Sequence, residues 1–166
     1  WGGQMDVYAT YFTQDALDRA RLSKEEFELL KEVEEKKKEN EEGGKKDADK
    51  KDKKDSKDEE KDKPMEPLKI ELEGIEDRRV RLTIHSSDLA GAVLSKDGEK
   101  LFYLAQFEKG YDLWQTELRT KETKVLAKLD ADDAGGLTID KEGKNLFFTK
   151  NGSITRVEIE KGEVNG

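Results

Sequence analysis

One nine-residue motif occurs twice in this sequence, and the distance between its copies constrains the fold more than any other feature. The first copy, Ser-Lys-Asp-Gly-Glu-Lys-Leu-Phe-Tyr, covers residues 95–103, and the second, Asp-Lys-Glu-Gly-Lys-Asn-Leu-Phe-Phe, covers residues 140–148. The copies therefore lie 45 residues apart. A period of about 40 to 50 residues in a β-rich sequence is typical of β-propellers, in which each repeat forms one four-stranded blade.

Each copy has the composition of a tight turn followed by a buried strand. Gly98 and Gly143 can adopt the positive φ that such a turn requires. The apolar tripeptide that follows each glycine predicts a strand buried on both faces, between neighbouring blades. Further short apolar runs lie at residues 68–72, 80–84, 92–94, 113–116 and 125–127. None of these runs has the length or period of a helix, which predicts an all-β region.

The strand pattern predicts a partial β-propeller with one complete four-stranded blade flanked by two partial blades. Residues 89–129 form the complete blade, and residues 135–160 supply three strands of the next. Residues 4–12 are expected to be the third strand of a preceding blade, with residues 68–84 as its outer strand. Because blades bury each other's faces, we expect exposed sheet faces at both ends of such a segment.

The first thirty residues also contain helical signals. Thr13 can cap a short helix that carries Leu17. Ser23 and Glu26 have the spacing of a capping box, which predicts a helix from about residue 24 to residue 35. Phe27 begins its apolar stripe, which we interpret as a packing surface. Residues 13–40 are therefore predicted to be a helical insertion within the partial propeller.

The segment that follows is dominated by charge, with 27 charged positions among residues 31–64. Such a segment cannot bury enough apolar surface to offset the ordering of its backbone, so residues 41–64 are predicted to be disordered. The predicted divisions are then residues 1–12, 13–40, 41–64 and 65–166. A cation site is the alternative for the acidic residues of this segment, but lysines alternate with them and no turn glycine is present. The acidic residues of this alternative are Asp47, Asp49, Asp52, Asp55 and Asp58. We expect no metal and no cofactor.

Composition excludes several classes of function. The formal net charge of −8 opposes binding to nucleic acid or to anionic membranes. No apolar run approaches the roughly 18 to 20 residues that span a bilayer. The absence of cysteine rules out disulfides and thiolate chemistry. The chain begins at Trp1 without an initiator methionine, so we expect both ends to be boundaries within a longer protein.

Three groups of residues could form chemical sites. His85 lies beside Ser86 and Ser87, but neighbouring residues of a strand point to opposite faces, so a loop is favoured over a catalytic pair. Arginines at positions 78, 79 and 81 could hold a peptide carboxylate, although a solvated turn paired with the acids at 73, 76 and 77 is favoured. Aromatic residues are expected to pack between blades rather than form a recognition surface. These aromatic residues are Phe102, Tyr103, Tyr111 and Trp114. We therefore predict no catalytic residue in this chain.

The repeated motif, followed by Tyr-Asp-Leu-Trp at residues 111–114, is similar to the signature of TolB and tricorn-type propellers, with Lys96 and Lys141 where those signatures commonly carry proline. Residues 72–83, Leu-Glu-Gly-Ile-Glu-Asp-Arg-Arg-Val-Arg-Leu-Thr, resemble a segment of bacterial tricorn-protease homologues. That resemblance implies a large serine peptidase with propellers that admit peptides, a PDZ-like module and a separate protease core.

The implied partners of the chain are the rest of the parent propeller, the protease domains and peptide substrates. None of the family's catalytic positions matches a residue of this chain. The resemblance favours a periplasmic location, with a cytoplasmic one as the alternative. The alternative function is a TolB-like binding scaffold with no protease attached.

Overall fold

The structure, a computed structural model, describes residues 4–43 and 67–165. Its elements are two α-helices, one short 3-10 helix and ten β-strands. In chain order they are β1 (Tyr8–Thr10), α1 (Gln14–Arg21), α2 (Lys24–Gly43), the 3-10 helix (Ile75–Arg78), β2 (Arg79–Arg81), β3 (Asp88–Leu94), β4 (Lys100–Gln106), β5 (Tyr111–Glu117), β6 (Thr123–Ala131), β7 (Ala134–Ile139), β8 (Asn145–Lys150), β9 (Ser153–Glu158) and β10 (Glu163–Asn165).

The strands form two antiparallel four-stranded sheets and one two-stranded ribbon. The first sheet has the order β3-β4-β5-β6 and the second has the order β7-β8-β9-β10, so each is a simple meander. The ribbon consists of β1 and β2, with Ala9 opposite Val80. This arrangement confirms the all-β class and the complete blade predicted at residues 89–129.

The two sheets pack face to face around the main core. The first sheet contributes apolar residues from β4, β5 and β6, and the second contributes them from β7, β8 and β9. Alternation along each strand directs these side chains to the same face. The residues of this core that are 0% exposed are Phe102, Leu104, Leu113, Ala131, Leu146 and Val157.

The repeated motif forms equivalent turns at the start of β4 and β8. Gly98 has a φ of 73° and Gly143 has a φ of 76°, as the turn prediction required. A side-chain oxygen fixes each turn: the Lys100 amide donates to Ser95 Oγ over 2.9 Å, and the Lys144 amide donates to Asp140 Oδ1 over 2.7 Å.

The second sheet differs from the prediction in two ways. It has a fourth strand, β10, where only three strands were expected, because the three residues Glu-Val-Asn give no alternating apolar pattern. β8 is also not buried on both faces: Phe148 is enclosed, whereas Phe147 is 36% exposed. The reason is that, within the described residues, no sheet covers that side of β8. β4 is buried on both faces, as predicted.

The ribbon is shorter than the partial blade predicted from residues 4–12 and 68–84. Residues 68–72 are not a strand, and Leu68 and Leu72 are 72% and 76% exposed. The alternation was misleading because, within this run, only the Glu71 amide donates to a backbone carbonyl, that of Phe12, over 2.8 Å. Ala9 of the ribbon and Leu82, directly after β2, nevertheless cover the other face of the first sheet, where they pack against Leu101 and Tyr103.

Both helix starts are as predicted. Thr13 Oγ1 accepts from the Ala16 amide over 3.1 Å at the start of α1. Ser23 Oγ accepts from the Glu26 amide over 3.3 Å, and the Glu26 carboxylate accepts from the Ser23 amide over 2.8 Å, which completes the capping box. The predicted disordered segment lies almost wholly outside the described residues, and the division of the chain at residues 12, 40 and 64 stays a prediction.

Candidate functional site

The second sheet exposes one whole face, which we call the outer face. It consists of side chains from β7, β8 and β9 that alternate with the core residues, and backbone pairing places Phe147 opposite both Thr138 and Arg156. Ile154, opposite Thr149, is 76% exposed. The five side chains named below are exposed, and Glu158, two residues after Arg156 on the same face of β9, adds an acid to this apolar and cationic surface. The outer face is Thr138, Phe147, Thr149, Ile154 and Arg156.

The first sheet carries an aromatic groove of about 490 Å³ on the side turned away from the second sheet. Phe107 and Trp114 meet edge to face there, with ring centroids 4.8 Å apart. Trp114 Nε1 is buried and has no hydrogen-bond partner among the described residues. Val125 contributes further apolar surface and is 42% exposed, and charged side chains line the rest. This aromatic groove has the chemistry to hold an apolar side chain of an extended peptide.

The other aromatic residues of the sequence analysis have packing positions, as predicted. Phe102 lies in the core between the sheets, and Tyr103 lies in the cluster beneath the ribbon. Tyr111 is partly buried and packs against the core between the sheets. Only Trp114 combines such packing with a position in an open groove.

The His85 loop contains a polar cluster that the sequence did not reveal. Asp6 accepts hydrogen bonds from Arg81 Nη2 at 2.6 Å, Thr83 Oγ1 at 2.8 Å and Ser86 Oγ at 3.0 Å. Partial desolvation raises the pKa of Asp6, but the bonds from Thr83, Arg81 and Ser86 outweigh it and leave the pKa below its ordinary value. The cluster joins the N-terminal strand to the loop that enters β3, so its role is structural.

His85 itself is exposed in the loop between β2 and β3, as predicted. Ser86 is committed to Asp6, and Ser87 Oγ is buried with no hydrogen-bond partner among the described residues. The geometry therefore does not bring histidine and serine together as a nucleophile and base. The prediction that this chain has no catalytic residue stays a prediction.

Of the three arginines, Arg79 and Arg81 are exposed, as expected for a solvated turn, whereas Arg78 is buried. Arg78 is 5% exposed and donates to the backbone carbonyls of Tyr11, Glu73 and Glu71. It is turned inward because it ends the 3-10 helix directly before β2. Arg79 lies over the Tyr8 ring, 4.4 Å from its centroid. The predicted pairs with the side chains of residues 73, 76 and 77 were therefore wrong, and no shared carboxylate site results.

Arg119 makes a set of structural contacts that the sequence did not predict. Its guanidinium lies 3.5 Å from the centroid of the Phe27 ring and forms a two-pronged ion pair with Glu99. Its Nη1 donates to the carbonyls of Arg19 and Leu22 over 3.1 and 3.0 Å, at the end of α1. One side chain thus joins both helices to the turns that flank β4 and β5. An open cleft of about 410 Å³ remains beside it.

The aspartates considered as a cation site lie outside the described residues. Within residues 4–43 and 67–165, no cluster of three or more potential ligands could hold a metal ion. None of the described helices is long and apolar enough to cross a membrane.

The stacked four-stranded meanders and their shared repeat define the class of this chain as part of a blade-type, propeller-like all-β protein. No family model matches the sequence, and no curated protein matches it. Among solved structures, TolB from Acinetobacter baumannii is similar, with 25% sequence identity and a TM-score of 0.44 over 52% of this chain. This chain spans only 23% of the length of that structure. The resemblance of residues 72–83 to tricorn-type peptidases stays a hypothesis.

Proposed function

We propose that this chain is a non-catalytic propeller segment of a larger tricorn-like serine peptidase, in which it contributes to substrate access or peptide binding. The observation that supports a propeller segment is the stacking of two meanders through equivalent strands of one repeat. The resemblance of residues 72–83 supports the peptidase part of the proposal.

The segment that carries this resemblance has a clear structural role. It forms the 3-10 helix and β2, and the buried Arg78 ties it to the backbone near the end of β1. Thr83 Oγ1 donates to Asp6 at its other end. The segment therefore fixes the ribbon against the first sheet, and its sequence is explained by packing rather than by chemistry at a reacting bond.

Peptide binding is assigned to the aromatic groove. Phe107 and Trp114 supply a rigid apolar surface for a peptide side chain. Lys109 and Lys128 lie at its rim with Asp112 and Asp130. Because charges of both signs surround the apolar surface, the groove suits extended peptides of mixed composition.

The test uses the protein produced from the complete gene, assayed for cleavage of peptides of about ten residues. We expect Trp114→Ala and Phe107→Ala to raise KM by about 3- to 30-fold while kcat stays unchanged, since removing uniform binding affects KM alone. Phe12→Ala is the matched control, because Phe12 is 44% exposed, close to the 42% of Phe107, and lies outside the groove.

The complete sequence provides the second readout. A complete sequence that encodes a PDZ-like module and a serine-protease core would support the peptidase role. Blades without any protease core, together with no cleavage, would reject that role and identify a binding scaffold of the TolB type. If cleavage occurs but the groove variants match Phe12→Ala, the assignment of peptide binding to this groove is rejected.

A further inference from the structure

The aromatic groove lies where the first sheet departs from the repeat that it shares with the second. In the first sheet Phe102 lies opposite Gln115, and in the second the equivalent Phe147 lies opposite Arg156. The hairpin that joins these positions is therefore four residues longer in the first sheet. Its loop consists of residues 107–110, and all four of them line the groove. The additional residues of this blade are thus the ones that build the groove.

A bulge in β6 supplies another part of the groove. Between two paired positions of these strands, β5 has one residue, Asp112, whereas β6 has three, residues 128–130. A bulge leaves residues of the longer strand without partners in the ladder. Lys128 and Asp130 belong to this bulge, and both line the groove. The shape of the groove therefore depends on what holds the bulge in place.

The carboxylate of Asp112 holds the bulge. Its Oδ1 accepts the Leu129 amide over 2.6 Å and the Asp130 amide over 3.0 Å. Asp130 has a φ of 45°, a left-handed conformation that is uncommon for residues other than glycine. Gly110, the last residue of the loop, lies against the same backbone, since an added Cβ would be 2.8 Å from the carbonyl carbon of Asp130. The loop and the bulge are therefore fitted to each other, and Asp112 fixes the bulge.

The charges at the rim of the groove have both signs. Lys128 Nζ lies 3.8 Å from Asp130 Oδ1, and these side chains are 72% and 63% exposed. Glu108 and Lys109 are adjacent in the loop and also have opposite charges. Exposed charges contribute little to binding energy, whereas burial of apolar surface contributes in proportion to its area. The apolar centre of the groove should therefore supply most of the affinity for a peptide.

We propose that Asp112 is a positioning residue of the aromatic groove, and that the groove selects one large apolar side chain of an extended peptide by its size. The charge of the neighbouring peptide residues contributes little to this selection. The inference rests on the proposed peptide binding, because it concerns the same groove. Asp112 acts through the backbone of β6 rather than through contact with the peptide. Without this acceptor the bulge would relax, and the groove would no longer fit a large side chain closely.

The test measures peptide binding to the protein from the complete gene, with any serine-protease core blocked by a fluorophosphonate. The probes are short fluorescein-labelled peptides of glycine and serine with one central leucine or alanine, and binding is followed by fluorescence anisotropy. We expect the leucine peptide to bind about 10-fold more tightly than the alanine peptide. Lysine or glutamate on both sides of the leucine should change Kd by less than about 3-fold. A larger change for either charge would overturn selection by size.

Substitutions at Asp112 test the positioning role. Asp112→Ala should reduce the preference for leucine over alanine to about 3-fold or less, whereas Asp112→Asn should retain it, because the amide oxygen can accept the same two backbone amides. Asp140→Ala is the matched control, since Asp140 Oδ1 also accepts a backbone amide, that of Lys144, in a turn of the second sheet. Gly110→Ala is a second variant that displaces the bulge, with Gly98→Ala as its control. It decides the test if Asp112→Ala does not fold.

The outcomes separate this inference from the proposed function. A preference for leucine that survives both Asp112→Ala and Gly110→Ala would overturn the positioning role and leave peptide binding intact. A loss in Asp112→Asn as large as that in Asp112→Ala would overturn the role of the two amide bonds. Absence of binding in the unaltered protein would reject peptide binding in this groove together with the inference. A missing peptidase activity would reject the proposed enzyme role and leave these readouts intact.

Discussion

Replacing Arg119 with alanine should release the helical hairpin, α1 and α2, from the first sheet while the sheets stay folded. The side chains of Arg119 and Glu99 are only 11% and 23% exposed. The substitution removes their ion pair, the contact with Phe27 and the two hydrogen bonds to carbonyls at the end of α1. The core between the sheets contains none of these groups, so we expect the effect to be local.

The size of the effect follows from these contacts. Each hydrogen bond contributes about 1 kcal/mol net, and a cation–π contact contributes about 0.5–2 kcal/mol. Glu99 would also be left partly buried without its partner, although contacts made by one group are not additive. We expect hairpin docking to weaken by about 2–4 kcal/mol, which corresponds to about 30- to 700-fold, because about 1.4 kcal/mol is a factor of ten.

Hydrogen exchange measured by mass spectrometry provides the assay. Amides of α1 and of the first turns of α2 should exchange faster by that factor in Arg119→Ala, while amides of β4 and β5 stay unchanged. Arg119→Lys keeps the charge but loses the forked geometry, so its effect should be intermediate. Arg156→Ala is the control for loss of an arginine. Exchange in α1 that is the same in Arg119→Ala and Arg156→Ala would refute the reasoning.

Three further predictions can be tested by urea unfolding. Gly110→Ala should lower the free energy of unfolding by about 1–3 kcal/mol more than Gly98→Ala. Both glycines have positive φ, but only at Gly110 would an added Cβ lie 2.8 Å from a backbone carbon of β6. Equal losses of stability in the two variants would contradict this. Leu113→Ala should cost about 2–5 kcal/mol, whereas Ile154→Ala in the 166-residue chain should stay within about 0.5 kcal/mol; similar losses would place both side chains in a core. Folding lowers the pKa of Asp6 from 3.8, so the contribution of its carboxylate to the free energy of unfolding is complete above pH 3.8 and is lost as the pH falls further. The loss of stability caused by Asp6→Asn should therefore be smaller at pH 2.5 than at pH 7. A loss that is the same at both pH values would contradict this coupling between protonation and stability.

The blade strands could be predicted because their signals are local. A turn glycine with positive φ and a following alternation of apolar residues are enough to locate β4 and β8. The same local reasoning placed the Thr13 cap and the capping box at Ser23. It failed for residues 68–72, which alternate like a strand, because a strand also needs a neighbour that accepts its backbone hydrogen bonds.

The long-range contacts could not be predicted from spacing. Arg78 binds the carbonyl of Tyr11, and Arg119 binds the carbonyls of Arg19 and Leu22, 67 to 100 residues away in sequence. An arginine that ends a turn looks the same in sequence whether it faces water or the backbone of a distant segment. The aromatic groove was missed for a related reason, since Trp114 both packs under the ribbon and faces an open surface.

The repeat preserves one side of each blade and varies the other. Toward the preceding sheet, Leu101 and Tyr103 correspond to Leu146 and Phe148, which are all apolar. On the outer face only the phenylalanine is retained, and polar side chains replace apolar ones at the positions of Thr138 and Thr149. Arg156 stands where the first sheet has Gln115, and Glu158 lies on the same face of β9. The two sides of the second sheet therefore differ in chemistry, so that a neighbour that fits the constant apolar side does not fit the varied side.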